Sequence, residues 1–252
     1  MYRLIYFDSR GAAELTRYLL AVVEAPYDDL RYPLHATPHG FGLAASSSSS
    51  SSSFLRDQQA GAFRCNMDKL PVLQVLSTDG KAALATLGQS HAINRFLAER
   101  HGLFGHDLMQ RTQIDAIYES VRDIKSDFLR VKRINPKDRS RWVEHVLPTH
   151  CQKLEASLPT IAIPKDKTAD NNYTNPWLFG GDMPSLADVA VFSLLGTATS
   201  IVTGSLVTSL DDIDPSSALS LSTCPRLVAS VAAMQALPAI QAWHAKRPDS
   251  FS

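Results

Sequence analysis

Cysteine is scarce in this sequence, and the three that are present, Cys65, Cys151 and Cys224, lie far apart. They form no CxxC pair and no metal-ligand spacing, so we expect no metal centre. An odd number of scattered thiols is typical of a reducing compartment, and we expect a cytoplasmic protein.

The sequence also lacks an excess of charge of either sign, because 25 basic side chains face 25 acidic ones. A neutral chain has no field that would attract nucleic acid or an anionic membrane surface. We therefore expect neither nucleic acid nor a membrane among its partners.

Long apolar runs are missing as well. The apolar start of the chain is interrupted by Asp8 and Arg10, so we expect no secretory leader. Val189–Leu210 is uncharged and long enough to span a bilayer, but it is rich in serine, threonine and glycine. We interpret this stretch as a helix buried inside a soluble domain.

What is present is a globular composition, with 44% hydrophobic and 20% charged residues in 252. This length suits one large domain or two small ones. A strand over Arg3–Phe7, an amphipathic helix over Arg10–Glu24 and a strand over Asp28–Leu34 have the size of a β-α-β crossover. Two strands and a helix over Leu70–Arg100 complete an α/β domain spanning about residues 1–100.

Between these parts, residues 35–64 contain the uninterrupted serine run Ser46–Ser53. Eight serines bury no apolar area to offset the entropy lost on ordering. We predict a flexible loop insertion here, outside the hydrophobic core.

The second half, residues 107–252, is predicted to be an all-α domain. Its longest helix carries an apolar stripe at helical spacing, formed by Ile114, Ile117, Val121, Ile124 and Phe128. Another helix is expected to start near Pro136, and Ser185 with Asp188 predicts a capped apolar helix.

Three features of the first half are candidates for chemistry, and each has a plain structural alternative. Pro71 opens a strand, where a cis bond to Leu70 would aim the Leu70 backbone at an extended ligand; the alternative is an ordinary strand-start proline. Gln89 and Ser90 lie at a predicted helix start, where unpaired N–H groups would bind a ligand carboxylate. The alternative is that Ser90 is only the N-cap of this helix. Tyr6 lies at the end of the first strand, where its hydroxyl would donate a hydrogen bond to a thiolate or oxyanion. The alternative is an aromatic side chain that only packs against the sheet.

Taken together, these motifs resemble the cytosolic glutathione transferases, most closely their sigma-like class, which includes glutathione-dependent prostaglandin D synthases. The resemblance rests on the segments Tyr6–Tyr18, Lys69–Leu73, Gly88–Ala98 and Ser185–Phe192, with Cys224–Leu227 and Leu237–Trp243 near the C-terminus. It covers nearly the whole chain except about residues 33–64.

The resemblance implies a thioredoxin-like N-terminal domain that binds glutathione as co-substrate, without a cofactor, and an all-α helical-bundle domain. The implied activity is conjugation of the glutathione thiolate to small apolar electrophiles, with Tyr6 as the catalytic residue. The implied glutathione contacts are Tyr6, Lys69, Leu70, Pro71, Gln89, Ser90 and Asp123, and the implied second-substrate pocket lies near Ser9, Ser126 and Arg130.

The sequence departs from the family pattern at two places. Ala12 stands where sigma-like members often have a second arginine. The family's tryptophan and lysine for the glycyl carboxylate belong in the serine-rich segment, so Phe54 and Arg56 are the candidates for the glycyl end.

The resemblance also implies a homodimer with a role in detoxification. Two alternatives stay open at this point: a glutathione-dependent isomerase of the prostaglandin D synthase type, and a non-catalytic ligand-binding or structural relative. A disulfide reductase is disfavoured because no cysteine stands near Tyr6 or Ser9.

Overall fold

The computed structural model describes residues 1–37, 40–42, 49–134, 138, 141–160, 175–196, 201–202, 205–206, 219–220 and 223–248. Within these ranges the α-helices are α1 (Glu14–Val22), α2 (Ser49–Gln59), α3 (Ser90–Arg100), α4 (Leu108–Ile134), α5 (Leu147–Ser157), α6 (Leu186–Leu195), α7 (Pro225–Ala236) and α8 (Pro238–Lys246). The strands are β1 (Tyr2–Phe7), β2 (Tyr27–Tyr32), β3 (His35–Thr37), β4 (Gly40–Gly42), β5 (Val72–Leu76), β6 (Ala83–Gly88), β7 (Ile201–Val202), β8 (Ser205–Leu206) and β9 (Leu219–Ser220).

A four-stranded mixed sheet in the order β2-β1-β5-β6 organises the first part of the chain. β1 and β2 run parallel because α1 carries the chain back between them, whereas β5 and β6 are antiparallel neighbours. This is the thioredoxin-like arrangement that was predicted, and it is confirmed.

The register of the sheet brings three chain segments to one edge. Ile5 lies opposite Val72 in the β1–β5 pair, and Gly88 lies opposite Val72 in the β5–β6 pair. The end of β1, the start of β5 and the end of β6 therefore meet at the same edge of the sheet.

The chain divides into two units, Met1–Leu97 with Ala242–Ser252, and Ala98–Gln241. The last turns of the C-terminal helix α8 thus group with the sheet-containing unit.

An aromatic cluster fills the core of the first unit beside β1. Phe54 of α2 stacks on Phe63 with ring centroids 5.6 Å apart, and Tyr32 contacts both rings. Ile5 and Val72 complete the cluster. Phe54 and Phe63 therefore anchor the segment after the serine run to the sheet.

This anchoring corrects the prediction of a flexible loop over residues 35–64. Strands β3 and β4 and helix α2 lie within it, a 3₁₀ turn over Arg64–Asn66 begins at its end, and Ser49–Ser53 form the first half of α2. Phe54, in the middle of α2, packs in the buried aromatic cluster, and this tertiary contact overrides the weak helix propensity of serine. Ser46–Ser48 lie outside the described residues.

The second unit is built around α4 and α6. The five apolar residues predicted to form the stripe of α4 are all buried. Helix α6 is buried almost throughout and begins with the predicted capping box, in which Ser185 accepts from the Asp188 N–H and Asp188 accepts from the Ser185 N–H. The helical part of the predicted architecture is confirmed.

Two details of the second half differ from the sequence predictions. The helix expected through Val189–Leu210 ends at Leu195, where Gly196 follows, and β7 and β8 pair as short strands further along. Gly196 is the C-cap residue and its N–H donates to the Phe192 carbonyl, and a Cβ at this position would clash with the Phe192 ring. The helix start predicted at Pro136 lies outside the described residues.

In the portion of the chain that the structure describes, no helix is both long and apolar enough to cross a membrane.

Candidate active site

Tyr6 lies at the edge of the sheet where the three segments meet, and its side chain is partly exposed. The backbone N–H of Ala12 donates a hydrogen bond to the Tyr6 hydroxyl oxygen at 3.1 Å. Because the oxygen already accepts this bond, the phenol proton is directed elsewhere and is available to an anion. This geometry fits the predicted role of Tyr6 as a donor.

The turn that supplies the Ala12 N–H requires a glycine at position 11. Gly11 has φ +41°, and a Cβ there would lie 2.6 Å from the Tyr6 hydroxyl oxygen. A side chain at this position would therefore displace the tyrosine. The glycine allows the start of the helical segment to approach the phenol closely.

Leu70 and Pro71 precede β5 at the same edge, and the bond between them is cis, as predicted. Pro71 is buried and Leu70 is half-buried against the aromatic cluster. Val72 is the first residue of β5 in the ladders with β1 and β6. Leu70 thus lies beyond the last paired residue, where an extended ligand would continue the sheet.

Gln89 and Ser90 form the turn from β6 into α3. Gln89 is exposed and has the left-handed value φ +65°, which is uncommon for a residue with a side chain. Ser90 was predicted to be the N-cap, but it is the first residue of α3. The N-cap position therefore falls on Gln89. The first N–H groups of this helix still favour a negatively charged ligand group.

The candidates for the glycyl end have different surroundings. Phe54 is only 6% exposed and packs in the aromatic cluster, so its ring offers almost no surface to a ligand. Arg56 is highly exposed and pairs with Asp57 at 3.2 Å, and Lys69 is also exposed. The two cations, unlike the phenylalanine, are exposed to solvent and accessible to a ligand carboxylate.

Asp123, Ser126 and Arg130 belong to α4 in the second unit. Their spacing of three and four residues places them along one side of the helix, and all three are exposed. Arg122 donates to Asp123 at 3.3 Å, and Arg130 donates to Asp127 at 2.6 Å. Ser9 belongs to the first unit, and it is buried. The ligand contacts predicted for these residues stay predictions.

Sequence reasoning missed a buried ion-pair network beneath Tyr6. Arg17 is fully buried and donates to the Ser9 carbonyl at 2.8 Å, to Asp29 at 3.1 Å and to Glu14 at 3.3 Å. Its guanidinium carbon lies 5.9 Å from the centre of the Tyr6 ring. Glu14 and Arg17 are three residues apart on one helix, a spacing that indicates an ion pair, but nothing in the sequence marks the pair as buried.

The C-terminal residues extend this network. Glu14 accepts hydrogen bonds from the Trp243 indole and from Arg247, both at 3.2 Å. The same carboxylate therefore joins α1 to the end of α8.

Two of the three cysteines, Cys151 and Cys224, are buried and poorly suited to nucleophilic chemistry. Burial raises the pKa of Cys224, and it raises the pKa of Cys151 to about 12. Little thiolate forms at either residue near neutral pH. Among the described residues, His, Cys, Asp and Glu are nowhere grouped as a metal site would require.

These features define a class of protein: a thioredoxin-like unit with a tyrosine donor at the sheet edge, followed by a helical unit. The model of the "Glutathione S-transferase, C-terminal domain" family matches residues 122–247, half of the chain. The chain belongs to the glutathione S-transferase family, and the predicted sigma-like resemblance is confirmed.

Individual relatives match over almost the full length. Hematopoietic prostaglandin D synthase of Rattus norvegicus is 26% identical over 99% of this chain and 98% of its own. A glutathione S-transferase of Plasmodium falciparum (isolate 3D7) is 26% identical over 98% of this chain and 96% of its own. The structure of a Pi-class glutathione S-transferase of Onchocerca volvulus superposes with a TM-score of 0.63 at 24% identity, covering 98% of this chain and 93% of that one, and shows the shared fold.

Proposed function

We propose that this protein is a glutathione transferase that activates the thiol of glutathione and conjugates it to small apolar electrophiles. The observation that carries the proposal is the Tyr6 hydroxyl, which receives the Ala12 N–H at 3.1 Å beside the Leu70 and Gln89–Ser90 segments. Membership of the glutathione S-transferase family supports the same reaction.

The chemical task of Tyr6 is to stabilise a thiolate. A free thiol has a pKa near 8.5, so little of it is ionised at neutral pH. A phenol proton donated to the sulfur stabilises the thiolate over the thiol, and each unit of depression in the thiol pKa corresponds to about 1.4 kcal/mol. The Ala12 N–H strengthens this donation because it polarises the phenol oxygen.

The rest of the tripeptide would be held along the sheet edge. The Leu70 backbone would pair with the cysteinyl backbone, and the first turn of α3 at Gln89 and Ser90 would hold the γ-glutamyl carboxylate. Arg56 and Lys69 are the cations available for the glycyl carboxylate, because both are exposed.

Three further features belong to the proposal. Asp123 on α4 would bind the amine of the glutathione held by the partner subunit. Ser126 and Arg130, further along α4, would contact the second substrate. A homodimer is the assembly that the family resemblance implies. The scarce and scattered thiols favour a cytoplasmic protein, and the family resemblance supports a role in detoxification.

A second candidate function is a glutathione-dependent isomerisation. The full-length similarity to a prostaglandin D synthase favours it, and the same tyrosine-activated thiolate would serve both reactions. Activity of the purified protein with a model electrophile and with an endoperoxide would separate the two.

The proposal is tested by Tyr6→Phe. We expect turnover with a model electrophile to fall by on the order of 10²-fold, as for other losses of one positioned donor. The pKa of bound glutathione, followed by thiolate absorbance, should rise toward that of the free thiol.

Tyr27→Phe is the matched control, because it removes a phenol hydroxyl from the neighbouring strand β2. In the described part of the structure, the Tyr27 hydroxyl is buried and has no hydrogen-bond partner. Its loss should leave activity unchanged. Wild-type turnover in Tyr6→Phe would exclude the proposed mechanism, and no turnover in the wild type would favour a non-catalytic relative.

A further inference from the structure

Asn66 is a buried amide that joins two segments of the candidate site. It ends the 3₁₀ turn before β5 and is 3% exposed. Its Nδ2 donates to the carbonyl oxygens of Lys69 at 3.0 Å and of Pro71 at 2.9 Å. Its Oδ1 accepts the backbone N–H of Gln89 at 2.9 Å. One side chain therefore satisfies backbone groups on both sides of Leu70 and at the start of the β6–α3 turn.

The chemistry of these three partners fixes the orientation of the amide. Two of them are carbonyl oxygens, which only accept, and the third is an N–H, which only donates. An amide is the side chain of this size that supplies two donors and one acceptor together. Neither aspartate nor leucine, which have similar volumes, can replace all three bonds.

The backbone around Asn66 is held in conformations that are costly without support. Met67 and Asp68 have φ values of +52° and +57°, and Gln89 has +65°. Residues with side chains adopt such values where the surrounding structure imposes them, often at ligand sites. The bond from Asn66 reaches Gln89 directly and so helps to impose its conformation.

Gly88 allows the two segments to lie this close. A Cβ at position 88 would lie 2.5 Å from the Asn66 Cβ and 2.6 Å from the Cys65 carbonyl oxygen. The turn bearing Gln89 is thus packed directly against the backbone at Asn66.

We propose that Asn66 is a positioning residue for the tripeptide ligand, an inference that rests on the proposed function. Its amide sets the separation between the Leu70 backbone and the Gln89–Ser90 turn. The first of these is expected to pair with the cysteinyl backbone and the second to hold the γ-glutamyl group. An asparagine that only stabilised its own turn would bond locally, whereas this one spans 23 residues to Gln89.

The inference predicts a split between binding and chemistry. In Asn66→Ala, both ligand anchors lose their shared support, and we expect the Kd of glutathione to rise by on the order of tenfold. The Tyr6 hydroxyl is positioned separately by the Ala12 N–H. The pKa of bound glutathione and kcat at saturating glutathione should therefore stay close to those of the wild type.

Asn66→Asp is the second variant, and it keeps the shape of the side chain. The carboxylate still accepts the Gln89 N–H but cannot donate to the carbonyls of Lys69 and Pro71. We expect a rise in Kd in this variant too, even if Asn66→Ala does not fold. Hydrogen exchange of the Gln89 amide should accelerate in Asn66→Ala and remain slower in Asn66→Asp.

Asn94→Ala is the matched control. Asn94 is equally buried, at 2% exposure, and its Oδ1 accepts from Thr16 at 2.7 Å. Its loss should lower the melting temperature without changing the Kd of glutathione.

Titration calorimetry with glutathione distinguishes the outcomes. Equal Kd values for the wild type and both Asn66 variants would overturn the inference and leave the proposed function intact. An equal rise in Kd in Asn94→Ala would reduce Asn66 to a general stabilising residue. Absence of glutathione binding by the wild type would overturn the proposed function and the ligand role of Asn66 with it.

Discussion

Replacement of Arg17 by methionine tests the buried network beneath Tyr6. Arg17 is fully buried, and its guanidinium donates to Asp29, Glu14 and the Ser9 carbonyl. Methionine has a similar length but no donors, so the variant leaves two carboxylates and a carbonyl without this partner. Removing one member of a buried ion pair costs about 3–5 kcal/mol of unfolding free energy.

For a chain of this size, such a loss lowers the melting temperature by about 6–20 °C. Urea denaturation and calorimetry measure the two quantities. Because Arg17 also holds the turn that leads to the Ala12 N–H, we expect a lower kcat/KM with glutathione at temperatures where the variant is folded.

Arg3→Met is the control within the same sheet. Arg3 joins β1 to β2 through Asp28 at 3.0 Å, but their side chains are 35% and 43% exposed. Exposed pairs contribute about 0–1 kcal/mol. If Arg17→Met were no more destabilising than Arg3→Met, the network would not stabilise the first unit and the reasoning would be refuted.

Three other substitutions test contacts elsewhere in the described residues. Gly88→Ala should destabilise by about 1–3 kcal/mol in urea denaturation, because the new Cβ meets backbone at 2.6 Å; a neutral effect would contradict the close packing. Asp188→Ala should cost about 1–3 kcal/mol for each donor left unsatisfied, since the Leu178 N–H and the Ser185 and Ser230 hydroxyls lose a buried acceptor, and an unchanged melting temperature would refute this. Burial and Arg247 lower the pKa of His244, so the folded state binds fewer protons than the unfolded one, and stability should fall as the pH drops below about 6.5. His244→Gln should remove this part of the pH dependence, and an identical pH profile in that variant would contradict the assignment.

The His244 prediction is also supported by hydrogen-bond directions. Arg247 donates to the Tyr18 oxygen at 3.4 Å, so the Tyr18 hydroxyl hydrogen is available to His244 Nε2 at 3.2 Å. Burial raises the pKa of Tyr18, which keeps its hydroxyl protonated. Nε2 accepts this hydrogen only when the imidazole is neutral.

The serine run shows why local composition misled the prediction for residues 35–64. Serine has only a weak preference against the helix, and the helix over Ser49–Gln59 is decided by the residues after the serines. Phe54 packs on Phe63, and the Asp57 carboxylate accepts the Tyr32 hydroxyl at 2.7 Å. Phe63 and Tyr32 lie in other parts of the chain, so the sequence around the serines does not show that a helix forms there.

Asn66 lies in a polar stretch, and nothing in its neighbourhood marks it as buried. Its partners are two nearby carbonyls and an N–H at Gln89, which approaches only because β5 and β6 pair in one register. Phe54 is a second case, since its burial in the aromatic cluster depends on Phe63 and Tyr32, which lie elsewhere in the chain.

The sequence by itself determined the elements with strong periodicity or clear start signals. The stripe of α4, the Ser185–Asp188 capping box and the strands on either side of α1 depend on residues close together in the chain. The order of the motifs around Tyr6, Leu70–Pro71 and Gln89–Ser90, followed by Ser185–Phe192 and the C-terminal motifs, also indicated the family.

Only the tertiary structure decided which of these residues support one another. Arg17 beneath Tyr6, Glu14 against Trp243 and Asn66 against Gln89 join segments that are distant in sequence. The physical reason is that a buried polar group is stable only with its partners in place, and those partners are chosen by the pairing of strands and the packing of helices.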